Sequence, residues 1–200
     1  GENGMIVSTS KQASEAGIEI LKKGGNAVDA AVAVGFALAV TSSSNGNIGG
    51  GGFMVAAMMD GQTFTLDYRE KAPAAAHRDL FLNDSGNVVP GMSLFSRAGS
   101  GVPGTVDGLI RALADHGSGN ITLRQALAPA IRLAEKGFEL SHYEARRFNG
   151  YEGLFQSNDA AAAIFIRKNN NPWKKGDKLV QRDLAKTLKR ISKYGRDGFY

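Results

Sequence analysis

Arg69 is the side chain in this sequence best suited to binding a charged substrate. A planar guanidinium can hold a carboxylate through two parallel hydrogen bonds. Arg69 ends an alternating run that begins at Gln62 and predicts a β-strand. Asp67 and Glu70 lie beside it, and an internal ion pair with such a carboxylate is the more common use of an arginine. From the residues alone, both interpretations remain open.

A run of four glycines, Gly49, Gly50, Gly51 and Gly52, is the second unusual feature. Residues without a Cβ cost backbone entropy and are typical of places where another group approaches the backbone closely. The run is not a phosphate-binding loop, because no Gly-Lys-Ser/Thr follows and the next residues, Phe53 to Met59, predict a strand. Two interpretations of the glycine run remain equally possible from the sequence. It could be a tight turn that meets a ligand or partner chain, or it could be a flexible loop.

No complete set of catalytic side chains is visible. The chain has no cysteine, which excludes disulfides, thiolate zinc sites and a cysteine nucleophile. The serines lack a Gly-x-Ser-x-Gly turn, and loop or cap positions are predicted for Ser42 to Ser44, Ser96 and Ser100. The histidines are far apart, lack metal-ligand spacing and are predicted to lie at the surface: His77, His116 and His142. No metal ion or other cofactor is expected.

The elements that must position Arg69 form a mixed α/β (α+β) domain, predicted as a single domain over residues 1–200. Asn26 can cap a helix from Ala27 to Val40 whose small apolar residues predict a central core position. Asp60-Gly61 predicts a two-residue hairpin turn. Further helices are predicted over five ranges: from Ser14 to Gly24, from Thr105 to His116, from Thr122 to Gly137, and in the tail near Tyr143 to Phe155 and Leu184 to Tyr194. A polar loop, Asn169 to Lys178, separates the two tail helices.

Charge and hydropathy exclude some other classes of protein. The formal charge is +5 over 200 residues, and the basic residues cluster late, at Arg167-Lys168, Lys174-Lys175, Lys178 and from Lys186 to Arg196. No aromatic residues alternate with them, so a solvated helix face is favoured over nucleic-acid binding. The longest apolar run, Ala27 to Val40, is shorter than the roughly 18 residues of a membrane span.

Several short segments, taken in order, resemble the large subunit of γ-glutamyltranspeptidases. They cover nearly the whole chain: ASEAG from Ala13, GGNAVDAAVA from Gly24, IGGGGFM from Ile48, DYREKAP from Asp67, GVPG from Gly101, PAIRLA from Pro129, Gly137-Phe138, DLAKTL from Asp183 and Gly198-Phe199-Tyr200. The segment from Thr41 to Asn47 departs from the proline-containing segment that is more usual in that family. The conformation of this loop is therefore left open.

The resemblance implies the N-terminal part of an N-terminal-nucleophile hydrolase with a four-layer αββα fold. Such enzymes are made as one precursor that cleaves itself. The new N-terminal threonine of the small subunit attacks a γ-glutamyl amide, and its own amino group serves as the base. Glutathione is the usual donor, and water, amino acids or peptides are the acceptors. The small subunit is the expected partner, and a periplasmic or secreted location is expected.

Within this resemblance, the arginine of the Arg-Glu-x-Ala-Pro segment binds the substrate α-carboxylate and corresponds to Arg69. Asp67 and Glu70 are expected to support it, and the tetraglycine is expected to be backbone architecture. The nucleophile and oxyanion-hole donors would lie outside this chain, so the chain alone is expected to be inactive. Related cephalosporin acylases, poly-γ-glutamate depolymerases and a non-catalytic scaffold of the same fold remain as alternatives.

Overall fold

The computed structural model describes residues 3–167 and 171–200. The helices are α1 (Lys11–Lys22), α2 (Ala27–Thr41), α3 (Met92–Phe95), α4 (Thr105–His116), α5 (Leu123–Lys136), α6 (His142–Gly150), α7 (Glu152–Gln156), α8 (Asp159–Phe165) and α9 (Arg182–Tyr194). The strands are β1 (Phe53–Ala57), β2 (Thr63–Asp67), β3 (Phe138–Glu139) and β4 (Lys178–Leu179), and 3₁₀ turns lie at Arg97–Gly99 and Gly195–Gly198. This mixture of helices and small sheets confirms the predicted fold class.

The chain divides into two compact units. The helical unit comprises Gly1–Asn47 and Leu109–Tyr200, and the hairpin unit comprises Ile48–Gly108. Helix α4 has its first turn in the hairpin unit and the remainder in the helical unit. No helix in the described part of the chain is long and apolar enough to cross a membrane.

Helix α2 is the centre of the helical unit. Asn26 accepts hydrogen bonds from the backbone N–H groups of Val28 and Asp29, and the Asp29 carboxylate accepts one from the backbone N–H of Asn26. This reciprocal capping box begins the helix. Phe36 and most of its neighbours on all sides are fully buried, as the sequence predicted.

Helix α1 packs closely on α2 because Gly17 has no side chain. A Cβ at Gly17 would lie 2.7 Å from Cγ2 of Val34 in α2. The helix starts at Lys11, earlier than the predicted Ser14, because Ser10 accepts a hydrogen bond from the N–H of Ala13. Gly24, with φ of +85°, follows its end in the left-handed conformation expected there.

Helices α5 and α9 complete the core of this unit. Thr122 and Gln125 form a second capping box at the start of α5. Leu127 of α5 and Leu188 and Ile191 of α9 are fully buried. The outer face of α9 carries Lys186 and other basic residues, which confirms the predicted solvated face. Lys168, which also belongs to the predicted basic cluster, lies outside the described residues.

The tail of the helical unit differs from its predicted pattern. The helix predicted from Tyr143 to Phe155 is two helices, α6 and α7, which break at Tyr151. Helix α8 and the antiparallel pair β3–β4 were not predicted, because two-residue strands are too short to show a period of two. Of the predicted loop from Asn169 to Lys178, Asn169 and Asn170 lie outside the described residues, and Lys178 begins β4.

The hairpin unit is built on the antiparallel pair β1–β2, in which Phe53 lies opposite Asp67 and Ala57 opposite Thr63. Strand β2 ends at Asp67, two residues before the predicted end. The turn has three residues and not the predicted two. Gly61 donates its N–H to Met58 O, and its φ is +86°, which is typical of a type I turn followed by a left-handed glycine.

Candidate functional site

Arg69 lies two residues beyond the end of β2, and its side chain is 61% exposed. The Nε atom is 3.0 Å from Oε2 of Glu70. The guanidinium carbon is 5.9 Å from the centre of the Phe53 ring, so the ring contributes a cation–π contact. Neither Nη group makes a hydrogen bond to another described residue. The outer edge of the guanidinium can therefore donate two parallel hydrogen bonds to a carboxylate.

The two neighbouring acids act on different parts of Arg69. Oδ1 of Asp67 accepts the backbone N–H of Arg69 at 2.9 Å and so turns the chain as the strand ends. Glu70 lies beside the guanidinium, and its Oε2 accepts no hydrogen bond, so this contact is an electrostatic one. The internal ion pair considered from the sequence is therefore present with Glu70, but it uses the Nε edge.

The tetraglycine loop lies directly against the segment that carries Arg69. Gly52 and Tyr68 exchange backbone hydrogen bonds, at 3.0 Å from Tyr68 N to Gly52 O and 3.3 Å in the other direction. The Gly50 carbonyl accepts the N–H groups of Gly104 and Thr105, at the start of α4. These hydrogen bonds hold the loop in place. The group that approaches the glycines closely is therefore the backbone of this same chain.

Two residues near Arg69 were missed in the sequence. Phe53 contacts the guanidinium because it lies opposite Asp67 in the strand pairing, and only the register shows this. Tyr68 directly follows β2 and is half-buried, and burial raises the pKa of its phenol above the ordinary value. Phe64, Leu66 and Tyr68 alternate with polar residues in the sequence, and this spacing is typical of residues that share one face of a strand. A neutral phenol and an aromatic ring therefore lie next to the arginine.

The remaining candidates do not assemble into a second site. Ser42 follows the end of α2, and Ser96 caps a 3₁₀ turn through the N–H of Ala98, as predicted for cap residues. His77 and His142 are exposed, and His116 is half-buried. Within residues 3–167 and 171–200, no cluster of three or more His, Asp or Glu residues is arranged to hold a metal ion.

Comparison with known proteins places this site in context. Residues 13–200 match the family model described as Gamma-glutamyltranspeptidase. The chain is 48% identical over 200 residues to a glutathione hydrolase proenzyme of Pseudomonas sp. (strain A14) and 45% identical over 199 residues to that of Escherichia coli (strain K12); each match covers 100% of this chain and 34% of the relative.

A crystal structure of Helicobacter pylori gamma-glutamyltranspeptidase matches with a TM-score of 0.94 and 43% identity, over 99% of this chain and 56% of that one. The chain spans about a third of the length of the curated relatives it matches. The match to the family model covers nearly all of its residues. The chain belongs to the γ-glutamyltranspeptidase family.

Proposed function

We propose that the protein containing this chain is a γ-glutamyltransferase and glutathione hydrolase. It cleaves the γ-glutamyl amide of glutathione and related compounds and transfers the γ-glutamyl group to water, amino acids or peptides. The observation that carries the proposal is the exposed Arg69 guanidinium, whose Nη groups have no protein partner in the described residues, in a chain 48% identical to a protein named glutathione hydrolase proenzyme.

In this proposal, Arg69 binds the α-carboxylate of the γ-glutamyl donor. The Nε edge is occupied by Glu70 and one face by the Phe53 ring, which limits the rotation of the guanidinium. The Nη edge then presents two parallel N–H groups to the carboxylate. Glu70 orients the side chain, and Asp67 orients the backbone. Restricting the side chain before binding lowers the entropy lost when the substrate arrives.

The proposed nucleophile is a threonine on a small subunit, outside these 200 residues. An N-terminal threonine uses its own α-amino group as the base, so the reaction requires no histidine and no cofactor. The outer face of the hairpin exposes Phe53 and Val55, at 64% and 82%. An exposed apolar face of this kind fits coverage by a further protein segment, which supports a partner subunit. A periplasmic or secreted location is part of the same proposal.

The test is the turnover of γ-glutamyl-p-nitroanilide by the gene product, comparing the wild type with Arg69→Ala and Arg69→Lys. Loss of a charge-assisted bidentate contact costs about 3 kcal/mol, or roughly a hundredfold in KM at 1.4 kcal/mol per tenfold. Arg69→Lys keeps the charge but loses the planar fork, so its KM should lie between those of the wild type and Arg69→Ala. Arg78→Ala is the matched control, because Arg78 lies in the same unit with its side chain 97% exposed.

Two results would contradict the proposal in different ways. A folded, processed wild-type protein without turnover would refute the activity. An active protein whose KM does not respond to Arg69→Ala would keep the activity and refute the role of Arg69. Circular dichroism of each variant checks that the fold is intact.

A further inference from the structure

Four glycines surround Tyr68 and the start of Arg69 so closely that none could carry a side chain without a shift. We call Gly51, Gly52, Gly104 and Gly108 the glycine socket. A Cβ at Gly104 would lie 2.0 Å from the Tyr68 carbonyl oxygen, and a Cβ at Gly51 would lie 2.4 Å from the same atom. Real Cβ atoms essentially never approach other heavy atoms this closely.

The other two glycines hold the tyrosine side chain. A Cβ at Gly108 would lie 2.3 Å from Cγ and 2.4 Å from Cβ of Tyr68. A Cβ at Gly52 would lie 2.8 Å from Cε2 and 3.0 Å from the phenol oxygen. Gly108 therefore contacts the root of the side chain, and Gly52 contacts its outer end.

Backbone conformation does not explain these glycines. None of the four socket residues is among the glycines with positive φ, so an L-residue could adopt their backbone geometry. Gly108 lies inside helix α4, where alanine is the better helix former. The need for space beside Tyr68 is the physical reason for glycine at these positions.

We propose that Tyr68, held in the glycine socket, is a positioning residue that sets where Arg69 meets the substrate carboxylate. The proposal rests on the proposed function. Arg69 is joined directly to Tyr68, and a Cβ at Gly51 would lie only 2.8 Å from the Arg69 Cα, so the socket controls the root of the arginine. Two parallel hydrogen bonds to a carboxylate tolerate little displacement. A shift of the tyrosine therefore weakens binding of the donor.

The role is one of packing and not of proton transfer. No hydrogen bond joins the Tyr68 phenol oxygen to another described residue, and burial favours the neutral phenol. The ring atoms that touch Gly52 and Gly108 are also present in phenylalanine, apart from the oxygen. Phenylalanine should therefore replace Tyr68 in this role, whereas leucine should not, because it ends before the outer ring atoms.

The test measures KM and kcat for γ-glutamyl-p-nitroanilide with the gene product. Tyr68→Leu and Gly52→Ala should each raise KM about tenfold with kcat within about twofold, since only carboxylate binding is displaced. Tyr68→Phe should have a KM close to the wild-type value. Gly153→Ala is the control, because a Cβ there meets nothing within 4 Å, and its KM should match the wild type.

A double-mutant comparison separates the two contacts. In the Tyr68→Leu background, Gly52→Ala should have no further effect, because the outer ring atoms are gone. Gly108→Ala should still raise KM there, because leucine retains the Cβ and Cγ that it would strike. If Gly108→Ala does not fold, the KM values of Gly52→Ala in the wild-type and Tyr68→Leu backgrounds are sufficient to test the positioning role.

Three outcomes would overturn the positioning role. The first is a KM unchanged by both Tyr68→Leu and Gly52→Ala. The second is a joint loss of kcat and thermal stability, which would indicate a structural role only. The third is failure of Tyr68→Phe to recover KM. If Arg69→Ala raises KM while the socket variants do not, only the inference fails; if the folded wild type is inactive, the proposed function fails and the inference fails with it.

Discussion

The two compact units are stabilised in different ways. The helical unit has a deep core in which Phe36, Leu127 and Leu188 are fully buried. In Ile48–Gly108, all of which is described, Val106 is the only fully buried apolar side chain larger than alanine. Instead, backbone hydrogen bonds and glycine contacts hold the chain around Tyr68. The arginine proposed to bind substrate therefore lies in the unit with little core of its own.

The comparison predicts that substitutions in the helical unit change stability, whereas those around Arg69 change substrate binding. The largest effect is expected for Phe36→Ala, because it leaves a cavity in the middle of the core. The free energy of unfolding should fall by about 3–5 kcal/mol, measured by chemical denaturation. Phe95→Ala is the matched control, since Phe95 is 73% exposed in the hairpin unit. An equal fall in the free energy of unfolding at both positions would contradict this difference between the two units.

A smaller loss is expected for Asp29→Ala. This fully buried carboxylate accepts the backbone N–H groups of Asn26 at 2.8 Å and Ser118 at 3.0 Å through Oδ2. Both donors would lose their partner, at a cost of about 1–3 kcal/mol. Asp29→Asn keeps one oxygen acceptor and should cost less. Asp84→Ala, in an exposed loop of the hairpin unit, should leave the unfolding midpoint unchanged; a similar loss there would argue against this explanation.

Glu19 gives the helical unit a modest dependence on pH. Burial raises the pKa of Glu19, but hydrogen bonds from Lys23 and Arg132 outweigh it, so the pKa lies below its ordinary value of 4.5. The stabilisation is therefore present above pH 4.5 and is lost as the pH falls through the lowered pKa. Glu19→Gln should cost about 0.5–1 kcal/mol at pH 7.

The measurement for Glu19 compares urea unfolding of wild type and Glu19→Gln across this pH range. The difference between them should shrink below pH 4.5. Glu15→Gln serves as the control, since Glu15 is exposed and 3.7 Å from Lys11. A difference that grows towards acid would mean that the pKa of Glu19 is raised and not lowered.

The smallest effect on stability is expected for Arg69→Ala, although it should have a large effect on KM. Its pair with Glu70 is exposed to solvent, at 61% and 33% of the two side chains, and such pairs contribute little. The free energy of unfolding should therefore change by no more than about 0.5 kcal/mol, and the melting temperature should change little. Scanning calorimetry of the gene product measures it, and a large fall would show that Arg69 has a structural role.

Sequence prediction succeeded where a structure depends on neighbouring residues and failed where it does not. Asn26 and Thr122 were recognisable as helix starts because a cap acts over three residues along the chain. The break at Tyr151 was missed because it leaves no periodic pattern, and the strands β3 and β4 were missed because their pairing joins segments that are far apart in the chain. Around Arg69, the sequence supplied the arginine and its acidic neighbours but not their pairing.

By itself, the sequence determined the main helices, the buried position of α2, the hairpin and the resemblance to the family, since these follow from local capping, periodicity and ordered motifs. The tertiary structure decided that Glu70 and not Asp67 contacts the guanidinium, that Phe53 lies beside it, and that Gly104 and Gly108 enclose Tyr68. These contacts join residues up to forty positions apart. Strand register and close backbone packing set them, and neither is encoded in the spacing of any one segment.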